Sequence, residues 1–339
     1  MLLADAAGVA ADASTGVTGW KPHPEVWLVL LVVIGLGLYV TRVIAPKVPA
    51  SRLDGKPAVT VAQKRWFTLG VVLLWVAADW PMHDMAEQQL YAMHMVQHTL
   101  LTLVIPPVFL LSIPTWLVRL AMPEGSRSWA VVSRLAKPIP AAVIFNGLML
   151  ASHWTVVVNT SVDVAAVHYG VHVVLVASAL LMWTPVCGPW PELRLGPAGT
   201  CVYLFAMSIL PTVPGAFLGL AESPVYEVYD KLPRLWGISV LEDQQLAGII
   251  MKLGEAAYLW TLIIIIFFRW ALAQERTDRR LNLVRIEDGV VVRLRDEPAG
   301  ASGSAPVGAA PAKPARARRD TLAEDLDKLG PAPVERAPG

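Results

Sequence analysis

Charged residues and cysteines are scarce in this chain. Of its 339 residues only 16% are charged, against roughly 25% in soluble domains, while 55% are hydrophobic. That balance excludes an ordinary soluble domain. A net charge of +1 gives no basic surface for nucleic acid, so none is expected as a partner. The two cysteines, Cys187 and Cys201, form no C-x-x-C motif. Their spacing excludes a dithiol redox or metal-transfer centre and leaves two structural thiols. No internal repeat occurs. The first twenty residues include Asp5 and Asp12 and lack both a basic start and a sustained apolar core. A cleaved signal peptide is therefore not expected, and the first membrane helix is expected to serve as the insertion signal.

Long apolar runs are abundant. From about Val26 to Leu272 they recur at lengths near 20 residues, enough to cross roughly 30 Å of hydrocarbon. The chain reads as an all-α, polytopic membrane bundle of about seven transmembrane helices: 26–44, 66–82, 93–113, 138–158, 164–186, 199–220 and 243–271. Residues 1–25 form an external amino-terminal segment, 26–271 the membrane domain and 272–339 a partly disordered cytoplasmic tail. Lys47, Arg52, Lys56, Lys64 and Arg65 follow the first span; Arg119, Arg127, Arg134 and Lys137 follow the third; Arg276, Arg279 and Arg280 follow the seventh. Loops 83–92 and 159–163 contain no Lys or Arg. The positive-inside rule then puts the amino terminus outside and the carboxyl terminus in the cytoplasm. Within the tail, residues 281–295 suggest a small hairpin around Asp288-Gly289, 297–319 a Pro/Ala/Gly linker and 321–329 a short helix.

The chemistry lies in two histidine pairs, His94-Met-Val-Gln-His98 at the start of the third span and His168-Tyr-Gly-Val-His172 at the start of the fifth. A separation of i,i+4 puts both rings of a pair on one helical face, about 6 Å apart along the axis, where they can converge on one metal ion. With seven histidines in the chain, chance supplies about 0.14 such pairs. The same topology puts His83 in an external loop and His153 near the outer end of the fourth span. Met82, Met85, Met93 and Met95 accompany the first pair, and thioether with imidazole suits copper, Cu(I) above all. The metal-site set is therefore His94, His98, His168 and His172, assisted by His153, His83, Met93 and Met95. Asp79 and Asp84 are available to orient a ring nitrogen.

Other histidine chemistries compete unequally. Neither pair has a Glu after its first histidine, so a zinc protease is excluded. A haem held by one histidine from each of two helices is the surviving alternative, and would make the protein an electron-transfer protein or redox enzyme. A di-iron oxygenase would need more histidines or carboxylates. Ile105-Pro106-Pro107 interrupts the third span and Pro211-Thr-Val-Pro214 the sixth, and such kinks can shape a cavity beneath the external site. In the seventh span Lys252 and Glu255 stand at i,i+3, where a structural ion pair is expected and a role in proton or ion passage is the alternative.

Three stretches give the chain a family likeness: HMVQHTLLTLVIPPVFLLSIP (His94–Pro114), HYGVH with the later LLMWTPV (Leu180–Val186), and EDQQLAGIIMKLGE (Glu242–Glu255). With these it resembles the CtaG-type cytochrome c oxidase assembly factors associated with caa-type oxidases, over roughly residues 20–272. The resemblance implies a multi-pass protein of the bacterial plasma membrane that is not an enzyme, has cytochrome c oxidase subunits as partners beside the lipid bilayer, and supplies or positions copper during oxidase maturation.

Overall fold

The computed structural model describes residues 23–293 except 54, 232–235, 283, 288 and 289. The expected linker 297–319, the helix 321–329 and most of the amino-terminal segment lie outside the described residues. The chain divides into a unit ending at Asp278 and a second beginning at Arg279. In the second, strands β1 (Val284–Glu287) and β2 (Val290–Arg293) pair antiparallel, Glu287 opposite Val290.

The first unit is a bundle of helices. Helix α1 (Pro24–Tyr39) continues through a π turn at Val40–Ile44. Helix α2 (Val61–Ala78) opens on a capping box, in which the Thr60 hydroxyl accepts from the Gln63 N–H and the Gln63 side chain accepts from the Thr60 N–H. The short α3 (Met82–Gln88) leads to α4 (Tyr91–Thr99), which passes through a π turn at Leu100–Val104 into α5 (Ile105–Ser112). Then come α6 (Thr115–Ala121), α7 (Arg127–Leu135), α8 (Pro138–Ser152), α9 (Thr155–Asp163) and α10 (Ala165–Cys187). The unit closes with α11 (Pro197–Met207), α12 (Thr212–Gly219), α13 (Val240–Ile249), a π turn at Ile250–Gly254 and the part of α14 (Glu255–Asn282) up to Asp278.

Among the described residues, six helical stretches are long and apolar enough to cross a membrane, and a seventh is counted if the bent pair α7–α8 is one span. The fourth expected span, 138–158, is shorter than its hydropathy suggests. Helix α8 has 15 residues, about 22 Å at 1.5 Å per residue, and lies at 76° to α7. At its end side chains take over one carbonyl, with both Ser152 Oγ and His153 Nδ1 2.7 Å from the Met149 oxygen, while the His153 and Trp154 N–H groups turn to Leu150 and Ala151 three residues back. The β-branched run after Trp154 restarts as α9. Burial is inverted relative to a soluble protein. Leu28, Leu31, Ile139 and Val173 are exposed, while Asp84, Asn146, Asp243, Gln244 and Glu255 are buried, as lipid outside and a polar interior require.

The third span, Tyr91–Ser112, is the central column, more than half buried. Its α5 half packs on α2 and α10, and its α4 half on α13. Proline explains one of the cross-links. Pro106 has no N–H to give the carbonyl of Thr102 four residues back, and the Trp183 indole N–H from α10 donates to that carbonyl at 3.0 Å. In the sixth span the helix stops at Met207 and restarts at Thr212, and α12 then meets α13 backbone to backbone. A Cβ on Gly248 would lie 2.5 Å from both the Gly215 carbonyl oxygen and the Gly219 nitrogen. Gly248→Ala must therefore push apart a pair of helices that small residues hold together. We expect a stability loss of about 1–3 kcal/mol, read as a lower melting temperature of the solubilised protein.

The expected Lys252–Glu255 ion pair does not form. Glu255 is buried and Lys252 exposed, and among the described residues no ion pair joins them. Lys252 sits within the π turn at Ile250–Gly254, immediately before Glu255, and the wider turn carries it off the face that Glu255 occupies.

Candidate metal centre

The two histidine pairs are held by different neighbours. Leu90, at the cap position of α4, has no capping side chain. Asp243 of α13 caps the helix instead: its carboxylate accepts the N–H groups of Tyr91 at 2.7 Å and Ala92 at 2.9 Å. Each residue of Glu242-Asp243-Gln244-Gln245 is a fastener of this kind. Glu242 forms a capping box with Ser239, Gln244 accepts from the N–H groups of Val225 and Tyr226 and donates to the Tyr226 carbonyl, and Gln245 donates to the Ala221 carbonyl. The loop so fixed lays Tyr226 and Tyr229 against Tyr91, with ring centroids 5.1 and 4.9 Å apart. Tyr91 in turn stacks on His94.

Rings from α4 and α10 meet. Ring centroids are 4.4 Å apart for His94–His98, 4.6 Å for His98–His172 and 5.6 Å for His94–His172. One ring nitrogen from each of His94, His98 and His172 lies within 4.8 Å of the others. Ligand atoms about 2.1 Å from one ion sit about 3.4 Å apart in a tetrahedron, so small rotations close this trio on a metal. His153 approaches from the end of α8, its ring 6.5 Å from that of His98. The Met149 carbonyl can only accept, so His153 Nδ1 carries the proton and Nε2 the lone pair. The Tyr226 hydroxyl donates to the His153 carbonyl at 2.8 Å and fixes the turn.

His94 Nδ1, His98 Nε2, His153 Nε2 and His172 Nε2 are buried without a hydrogen-bond partner among the described residues. Such nitrogens are costly to leave bare and suited to a cation. They surround a cavity of about 20 Å³, to which Met95 also contributes, with room for one ion or one water. A second cavity of about 210 Å³ adjoins it, shares His94, His168 and Tyr229, and is edged by Glu87 and Asp163. The acidic edge makes it a vestibule suited to cations.

Not every expected ligand points into the trio. His168 lies beside His172, ring centroids 4.4 Å apart and tilted by 34°, but its Nε2 lies 2.7 Å from Glu87 Oε1. Met93 packs with Met85 and Leu90, and Met82 against Ala77 and Leu101; of the expected methionines only Met95 is among the residues lining the small cavity. Asp79 accepts the Trp75 indole N–H at 2.8 Å. His83 lies with His23, their rings 4.7 Å apart and edge to face. The Gln97 amide nitrogen is 3.3 Å from His83 Nδ1, and Glu87 Oε1 is 3.3 Å from His83 Nε2. Burial holds the His83 imidazole below its usual range, against the opposing pull of Glu87. For Glu87 burial alone would act upward, but the contact with His168 and the nearby imidazoles outweigh it and hold the carboxyl below its usual range. Glu87 thus faces both His83 and His168, the orienting role the sequence suggests for Asp79 and Asp84; of those two, Asp84 faces a ring nitrogen of His23. Its position four residues after His83 is the available signal.

A family model described as cytochrome c oxidase caa3 assembly factor matches residues 37–273. No curated protein and no solved structure gives a significant match. The matched region takes in both histidine pairs, His153, Glu87 and the Glu242–Gln245 fasteners, and it covers more than two thirds of the chain. The chain therefore belongs to the family of cytochrome c oxidase caa3 assembly factors.

Proposed function

We propose that this assembly factor carries copper as cargo, held by His94, His98 and His172, and presents it for insertion into an oxidase subunit during maturation. The observation that supports this reading is the set of bare imidazole nitrogens around a cavity the size of one ion. Three imidazoles with Met95 beside them form a soft nitrogen-rich environment, which favours Cu(I) over hard cations. His153 is the fourth nitrogen within reach, and Glu87 steadies the second pair through His168. The site lies at the end of the bundle whose loops 83–92 and 159–163 lack Lys and Arg. By the positive-inside rule that end faces outward. The role is one of holding and handing over an ion, without a catalytic step.

Haem is the poorer occupant of the same histidines. The cavities here, about 20 and about 210 Å³, fall short of the roughly 300–1,000 Å³ of pockets for large organic ligands. Purified protein titrated with Cu(I) is expected to bind one ion per chain at this site and to show no Soret band as isolated. A Soret band with no copper uptake would overturn the copper reading in favour of haem.

A further inference from the structure

His23 stands alone in the sequence, sixty residues from its nearest histidine, and precedes the matched family region. In the fold it is not alone. It forms the cap position of α1, where Pro24 at the first helical position and Glu25 in the first turn set the chain direction, and that start lies against α3. His23 Nδ1 is 3.3 Å from Glu25 Oε1, and His23 Nε2 is 3.4 Å from Asp84 Oδ1. One ligand atom from each of His23, Glu25 and His83 lies within 4.8 Å of the others.

We propose that His23, Glu25 and His83 form a second metal site, distinct from the three-histidine centre, which takes a divalent d-block ion of the Cu(II) or Zn(II) class. Two imidazoles with carboxylates are borderline donors that suit these ions, whereas Mg(II) and Ca(II) prefer all-oxygen shells. The 3.3 Å between His23 Nδ1 and Glu25 Oε1 matches the edge of a coordination tetrahedron with bonds of about 2.1 Å, while Asp84 faces the other ring nitrogen, Nε2, at 3.4 Å and steadies the ring from behind. Charge favours a divalent ion: among the described residues, the ion-pair contacts of Glu25 and Glu87 are with histidines alone, and Asp84 adds a carboxylate that is 1% exposed. An ion here would tie the start of α1 to α3. Because α3 also carries Glu87, which reaches His168 at 2.7 Å, occupancy would fix the carboxylate that steadies the second histidine pair.

The test uses full-length protein in lipid nanodiscs with His94, His98 and His172 replaced by Ala, so that its outcome is independent of the Cu(I) centre. Titration with Zn(II), and with Cu(II) in the absence of reductant, is expected to load one ion per chain, and the Cu(II) spin resonance spectrum should show nitrogen coupling. Adding His23→Gln or His83→Gln should weaken that binding about 10–100-fold or more, since loss of an outer partner alone costs that much. Should the triple variant fail to fold, the same titration is made on His23→Gln in the otherwise unaltered chain, where divalent stoichiometry should fall by one. No divalent ion bound by the folded triple variant, or a titration indifferent to His23→Gln, would overturn the proposal.

Discussion

Replacing His94, His98 and His172 together by Ala is expected to abolish Cu(I) binding at the centre and to leave the host with little active caa3 oxidase, while the assembly factor still reaches the membrane. Each ring lies within 4.8 Å, atom to atom, of the other two, so each single substitution removes one donor from a three-donor set. Loss of an outer partner of a metal ligand weakens binding about 10–100-fold, and loss of the ligand itself should weaken it by more than that. His98→Ala should be the most severe single change, because its ring is within 6.5 Å of His94, His172 and His153. Glu87→Gln should fall below all of these, acting through His168 without touching the ion. The measurements are Cu(I) affinity by competition with a chromogenic chelator and oxidase activity in membranes. Full oxidase activity in the triple variant would sink the site assignment.

How legible this centre is in the sequence depends on distance along the chain. The pairs His94/His98 and His168/His172 announce themselves because helical periodicity is local: i,i+4 places two rings on one face before any tertiary contact exists. Hydropathy likewise marks the spans, since length and composition suffice for that. What joins two pairs into one centre is not local. The role of Asp243 as a cap for a helix that starts 152 residues earlier, the meeting of His23 with His83, and the turn of His168 toward Glu87 all arise from packing between distant segments. The Lys252–Glu255 pair does not form for the opposite reason, as i,i+3 spacing guides only where the helix stays α, and Lys252 belongs to a π turn. The fourth span ends earlier than hydropathy implies because Thr155–Val158 is as apolar as a membrane helix, while the break at His153 is marked by side-chain bonds to Met149 that hydropathy does not record.

The second large effect is expected at Asp243, which touches no metal. Its two carboxylate oxygens accept the first N–H groups of α4 from outside that helix, and Asp243 is 1% exposed. With Ala there, two buried donors lose their acceptor, at about 1–3 kcal/mol each, and the positive end of the helix loses a facing anion. A total of about 2–6 kcal/mol is a large share of the stability of most folded proteins, so Asp243→Ala should melt well below the parent in detergent. Asp243→Asn separates the two contributions. An amide keeps one carbonyl oxygen for one N–H but no charge, so its loss should fall between those of the parent and the Ala variant. The effect should also reach the metal unevenly. Tyr91, the first capped residue, stands three positions before His94 and seven before His98, and a frayed first turn displaces the nearer ring. Asp243→Ala should therefore weaken Cu(I) binding, and adding His94→Ala to it should cost less than the same change costs in the parent. Equal effects of His94→Ala in both backgrounds, with an unchanged melting temperature for Asp243→Ala, would show that α4 keeps its first turn without this cap.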